Sequence, residues 1–289
     1  ACGSAFYAGQ VGKYVIESLT RIPVETDIAS EFRYRDPIVD EHTLMIVISQ
    51  SGETADTIAA LREAKERGAK TLAICNVVGS TIARLADTVL YTWAGPEIAV
   101  ATTKGYTTQV AILDLLAVYL ARRLSRIDDG EERRLVREIQ KIPQQMQRSV
   151  DLNPGLPDIA KAYHDNQNMF FIGRNLDYAV CLESSLKLKE ISYIHSEACA
   201  AGELKHGPIA LIEPGRLVIA LACQERLFDK TMSNIKEVKA RGAEVLGVAM
   251  EGNTRILTEA DKAIYIPRCE PLFAAAPAIV PMQLFAYYV

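Results

Sequence analysis

The clearest pattern in the chain is a wholly apolar run, residues 44–48, then a hydroxyl-rich hexapeptide, Ser49-Gln50-Ser51-Gly52-Glu53-Thr54, then amphipathic spacing over residues 55–67. A parallel strand buried on both faces reads as continuous apolar sequence, and a 3.6-residue period reads as a helix with one buried face. The pattern therefore predicts a strand, a turn and a helix. Residues 71–75 and 88–91 read as further strands and 106–122 as a helix. Residues 125–150, charged and glutamine-rich, read as a helical connector that Asn153-Pro154-Gly155-Leu156-Pro157 breaks.

The pattern then repeats. Residues 44–92 align without a gap on residues 218–266, so that Arg67-Gly68-Ala69 returns as Arg241-Gly242-Ala243, Ala86-Asp87 as Ala260-Asp261 and Tyr91 as Tyr265. Strands are predicted at 245–249 and 263–266 in the second copy. A weaker echo upstream pairs Ala29-Ser30-Glu31-Phe32-Arg33 with Ala201-Gly202-Glu203-Leu204-Lys205 and sets Tyr34 opposite His206. Strands and helices that alternate this way build parallel sheets between helices through right-handed crossovers. The predicted fold is α/β, with two tandem domains from an internal duplication. They span residues 1–124 and 151–289, joined by the connector 125–150.

Composition narrows the function. The chain has 289 residues, 49% hydrophobic and 24% charged, with a net charge of -4. That length accommodates two modest cores, and without a basic cluster the charge argues against nucleic acid or an anionic membrane surface as partner. The longest apolar stretches, 110–120 and 274–289, are broken by Asp114 and by Pro277 and Pro281, and both fall short of the ~20 residues a membrane span needs. No signal peptide is visible. Six cysteines are scattered without a CxxC pair, which suggests reduced thiols in a cytoplasmic protein. Cys2 invites a nucleophile reading, but Gly3-Ser4 after it reads as another strand-to-helix turn. No metal or cofactor is expected.

The turn at 49–54 has two readings. A helix start exposes unpaired N–H groups and the positive end of a dipole, a natural site for phosphate, and three hydroxyls and a glycine suit it. Alternatively Ser51 and Thr54 merely cap the helix. The duplication lifts the first to stand level with the second, since a cap would be wanted in both copies. The second copy has Cys223-Gln224-Glu225-Arg226-Leu227-Phe228, without the hydroxyls, the glycine or any welcome for an anion.

The second copy carries a different set. Glu183, Lys187 and Glu190 fall in one row of a helix-prone segment running to His195, either a solvated charged face or part of a site. His206, held before Gly207-Pro208, reads as a loop residue able to present its ring to a cleft. A carboxylate, an ammonium and an imidazole suit proton transfer beside a sugar carbonyl, with Glu190 as base, Lys187 polarising the oxygen and His206 opening the ring. His42, His164 and His195 read as structural or exposed, His195 as an ordinary helix residue. Thr102, just ahead of the 106–122 helix, reads as a cap or a binder of sugar hydroxyls, and Lys104 as a surface charge or a phosphate neighbour.

SQSGETADT, AICNVVGS, VATTK and, above all, LKLKEISYIHSEACAAGELKHGPIALI resemble the isomerase half of the glutamine–fructose-6-phosphate aminotransferase (glucosamine-6-phosphate synthase) family, over essentially the whole chain. The resemblance implies two sugar-isomerase (SIS) domains, each a flavodoxin-like αβα sandwich. It also implies that Ser49, Gln50, Ser51 and Thr54 hold the phosphate of fructose 6-phosphate, with Ser4, Val100 and Thr102 completing the substrate site. Glu190 would move the proton from C1 to C2, Lys187 would assist at the oxygens, and His206 would open the ring in the neighbouring subunit of a homodimer. Family members draw ammonia from a glutaminase domain and release glucosamine 6-phosphate. The chain departs from the family at Cys2-Gly3-Ser4-Ala5, where Cys-Gly-Thr-Ser is common, and at Thr102, where serine is usual. The family's glutaminase domain and C-terminal lysine have no counterpart in these residues, so both ends are expected to be cut. Other readings are a sugar-phosphate-sensing module and a fructosamine-phosphate deglycase or deaminating isomerase.

Overall fold

The apolar runs become strands because no other arrangement buries both of their faces while pairing their backbone. In the computed structural model, which describes residues 1–289, the first eight elements are α1 (Gly3–Thr20), α2 (Ala29–Phe32), β1 (Leu44–Ser49), α3 (Ala55–Glu66), β2 (Lys70–Cys75), α4 (Thr81–Leu85), β3 (Thr88–Tyr91) and α5 (Lys104–Arg123). The helix α6 (Asp129–Asp151) follows. Then come α7 (Leu156–Lys161), β4 (Asn168–Gly173), α8 (Leu176–Ser192), β5 (His195–Ala200), β6 (Leu217–Leu221), α9 (Phe228–Lys239), β7 (Glu244–Met250), β8 (Lys262–Ile266) and α10 (Ala275–Tyr288). The chain divides into two compact units, Ala1–Glu132 and Arg133–Val289.

In the first unit β1, β2 and β3 form a parallel sheet in that order, with Val47 opposite Ala73 and Ala73 opposite Val89. Side chains alternate across a strand. Met45, Val47, Ala73, Cys75 and Val89 therefore share one face, where they pack on Leu61 of α3 and Ile82 of α4. The other face meets α1, whose Gly9 lies over Ile48, and α1 closes on α5 where Leu113 crowds Gly12. Fully burying each such Val, Leu or Ile contributes roughly 1.5–3 kcal/mol.

In the second unit five parallel strands run in the order β5-β4-β6-β7-β8. Phe170, Ile172, Val218, Ala220, Val245 and Ala249 face the buried stripe Phe228, Met232, Ile235 and Val238 of α9. α8 and α10 pack together, and α10 is apolar all round because nearly its whole surface is buried.

The duplication is written into individual bonds. Lys65 pairs with Asp87 at 2.8 Å and Lys239 with Asp261 at 2.6 Å, while the same aspartates receive the N–H groups of Thr71 and Val245 at 2.9 and 2.7 Å. Gly68 and Gly242 take φ of 91° and 87° at the matching helix ends. Upstream, Ala29 N–H donates to the Ala1 carbonyl at 2.9 Å as Ala201 N–H does to Gly173 at 2.8 Å. Three features differ from the sequence reading. Strands β4 and β5 were not predicted, and His195 opens β5 instead of belonging to the preceding helix, which ends with Tyr193 in the left-handed conformation. The end of β5 returns the chain to the turn that holds His206.

Candidate active site

The turn after β1 is built around Gly52. Its φ is +67°, and a Cβ there would fall 2.0 Å from Ser80 Oγ, so glycine meets both a backbone and a packing requirement. Ser49 Oγ accepts from Gly52 N–H at 3.1 Å and shares a hydrogen bond with Thr54 Oγ1, also 3.1 Å, while Ser51 Oγ accepts from Glu53 N–H at 3.2 Å. Thr54 occupies the N-cap position of α3, yet makes no side-chain cap bond. The hydroxyls thus brace the turn instead of closing the helix. Glu53 points to α4, where it accepts Thr81 N–H at 2.7 Å, and the Thr81 hydrogen bonds hold its carboxyl below the usual range. Gln50 enters through its backbone, whose carbonyl accepts from Asn76 N–H at 3.1 Å.

The segment before α5 approaches the same turn. Built on Gly105, a Cβ would lie 2.5 Å from Thr102 Oγ1 and 3.2 Å from Gln50 Cγ, which puts Thr102 and Gln50 on either side of one glycine. Thr102 Oγ1 donates to Glu97 Oε2 at 2.8 Å, and Lys104 Nζ to the Pro96 carbonyl at 2.5 Å. Val100 is almost fully exposed. Ser4 is buried in the first turn of α1, with Cys2 at the N-cap in extended conformation. The sequence reading overlooked Glu97, because a lone acidic residue five positions before a threonine carries no periodic signal.

The second copy's corner is occupied by a side chain of the chain itself. Cys223 and Gln224 N–H groups, at 2.9 and 3.2 Å, both donate to Asp177 Oδ2 of α8. The chain fills this corner with its own Asp177 side chain, so these two N–H groups are already paired, in keeping with the expectation that the second copy offers no welcome to an outside anion. Burial raises Asp177 to about 7 against the opposing pull of the Gln224 and Cys223 N–H groups.

On α8 the charged row is not a solvated face. Glu183 and Lys187 are fully buried, and Lys187 Nζ lies 3.5 Å from Glu183 Oε1 while hydrogen-bonding Glu190 Oε2. Glu190 remains partly exposed, with 31% of its side chain accessible. One ammonium thus stands between a sealed carboxylate and an accessible one. His206 ends a short 3₁₀ turn, Leu204–His206, and is exposed. His42 and His164 are exposed in turns, and the exposed His195 ring meets Asn168 Oδ1 at 3.1 Å. Burial raises the thiols of Cys75, to about 11, and of Cys199 and Cys269, to about 12, so they stay protonated near neutrality. No group of His, Cys, Asp and Glu side chains is arranged to hold a metal ion, and no helix is long and apolar enough to cross a membrane.

Comparison with known proteins gives the family of the chain. The SIS domain model matches residues 1–119 and 162–289. Glutamine–fructose-6-phosphate aminotransferase [isomerizing] of Clostridium tetani is 58% identical over 289 residues, all of this chain and 48% of the relative; that of Symbiobacterium thermophilum is 59% identical over 288 residues and 47% of its length. The chain spans about half the length of these curated relatives. Among solved structures, the C-terminal domain of glucosamine-fructose-6-phosphate aminotransferase from Francisella tularensis superposes with a TM-score of 0.96 at 36% identity, covering 100% of this chain and 82% of that one. Two parallel α/β copies, a hydroxyl-lined turn in one and a buried Lys-Glu set in the other are thus the features of a chain that belongs to the SIS-domain family, in its glutamine–fructose-6-phosphate aminotransferase branch.

Proposed function

We propose that this chain is the isomerase half of a glucosamine-6-phosphate synthase, binding fructose 6-phosphate and carrying out its ketose-to-aldose proton transfer. The phosphate sits at Ser49, Gln50, Ser51 and Thr54, with Ser4, Val100 and Thr102 toward the sugar. Glu190 moves the proton from C1 to C2. Lys187 stabilises charge at the neighbouring oxygens, and His206 opens the sugar ring, in a homodimer where it serves the partner subunit's substrate. With ammonia from a glutaminase domain, the product is glucosamine 6-phosphate. Six buried or partly buried thiols and no disulfide suit a reducing, cytoplasmic setting.

The observation that carries the proposal is the Glu183–Lys187–Glu190 row. Burying an ammonium costs several kcal/mol unless it is paired, so a fully buried lysine on an ordinary helix needs a reason beyond stability. Holding a charged donor beside a partly exposed base supplies one, because donors fixed in a water-poor site act strongly on developing oxyanion charge. The test is calorimetric titration of the chain with fructose 6-phosphate and then glucosamine 6-phosphate, alongside Ser51→Ala. Binding of both sugars, weakened roughly tenfold by the loss of one charge-assisted hydrogen bond, is the expected result. Failure to bind either sugar removes the proposal.

A further inference from the structure

The Thr102 hydroxyl is already committed. A carboxylate accepts hydrogen bonds and donates none, so the 2.8 Å bond to Glu97 Oε2 fixes the Thr102 proton on the Glu97 side. What Thr102 then offers is an oxygen with lone pairs and no proton. A phosphate oxygen is itself an acceptor and gains nothing from such a group, whereas a sugar hydroxyl can donate to it. The Glu97 charge adds to the discrimination, since an anion placed beside it meets repulsion. The braced turn is close at hand, because Thr102 Oγ1, Gln50 Cγ and Glu97 Oε2 all lie within 3.6 Å of the place a Gly105 Cβ would take.

We propose that Glu97 is a positioning residue that turns Thr102 into a reader of a substrate hydroxyl, and so sets which end of a sugar phosphate enters the 49–54 turn. This rests on the sugar-phosphate reading of the site. It separates Thr102 from Ser49, Ser51 and Thr54, since only the latter face the phosphate. A terminal phosphate and a hydroxyl-bearing carbon chain are read by different groups, one set of donors and one oriented acceptor.

The test is a double-mutant cycle read with two ligands, fructose 6-phosphate and inorganic phosphate, by calorimetry on the 289-residue chain. Glu97→Ala frees the Thr102 hydroxyl to rotate and is expected to weaken fructose 6-phosphate binding about five- to tenfold, the worth of one oriented hydrogen bond, while inorganic phosphate binds as tightly as before or tighter. Thr102→Val gives the same split. The double variant is no weaker than Thr102→Val alone, because Glu97 acts through Thr102. Glu97→Gln, which keeps an acceptor oxygen, recovers most of the sugar-phosphate affinity. A parallel loss for both ligands, additive losses in the double variant, or unchanged fructose 6-phosphate binding in Glu97→Ala overturns the inference while leaving the sugar-phosphate reading in place. A wild-type chain that binds no sugar phosphate overturns both.

Discussion

Lys187 decides between the two readings of the charged row, since a solvated lysine and a buried one respond differently to the same change. Replacing Lys187 with Met removes the ammonium between Glu183 and Glu190, and the loss of one partner from a buried ion pair costs about 3–5 kcal/mol. On an exposed face the same change would stay within about 0.5 kcal/mol. The urea midpoint of Lys187→Met measures the difference. Asp177 offers a second residue-level test, in pH. Its folded carboxyl titrates near 7, above the ordinary aspartate value, so between about pH 4 and 7 the native state keeps a proton that the unfolded chain has released. Its contribution is full below that window and declines as pH rises to about 7; Asp177→Asn is expected to flatten stability over about pH 4–7. Sequence placed Glu183, Lys187 and Glu190 in one row correctly, because helical spacing is purely local. It could not show that Glu183 and Lys187 are buried, since Ala179, Val180, Cys181, Ser184, Ser185 and Leu188 are buried as well and α8 has no polar face along most of its length. Glu97 and Asp177 were illegible for a related reason, as each acts on a backbone or hydroxyl that only the folded chain brings near.

At the scale of the element, the β1–α3 turn depends on Gly52 twice over. Alanine there takes on about 1–2 kcal/mol of left-handed strain and collides with Ser80. Gly52→Ala is expected to lower the melting temperature and to weaken phosphate binding at least tenfold, and adding Ser80→Gly should recover the steric part of the stability but not the strain. Thermal melts of the single and double variants measure this; full recovery would mean that φ at Gly52 carries no cost. Strands β1, β2, β3, β7 and β8 and helices α3, α5 and α6 were legible within a few residues, since an apolar run between helical periods leaves few alternatives. β5 escaped because it mixes polar and apolar residues at the sheet edge and follows a helix whose composition runs on into it. The cap reading of Thr54 was reasonable from its position, but the hydroxyl's nearest partner is Ser49, on the preceding strand.

For the whole molecule, two copies of one α/β plan have been put to different uses. Both keep the lysine–aspartate clamp and the strand register, which hold the sheet, and they differ at the strand ends, where chemistry can be attached without disturbing a core. One copy leaves its turn lined with hydroxyls, and the other closes the matching turn with Asp177 and carries the Lys-Glu row on α8. The repeat in sequence made the difference between the two turns visible before any coordinate, because the aligned residues 49–54 and 223–228 share only Gln50 and Gln224. The account stands on Glu190 acting as the base on a sugar held by its phosphate. The most direct measurement is NMR of fructose 6-phosphate in D₂O with the chain and no glutamine. The account predicts slow conversion to glucose 6-phosphate, with deuterium entering at C2 to the extent that the proton held on Glu190 exchanges with solvent before its return, and a loss of about 10²–10⁴-fold in Glu190→Gln with binding retained. Conversion at an unchanged rate in Glu190→Gln would contradict it.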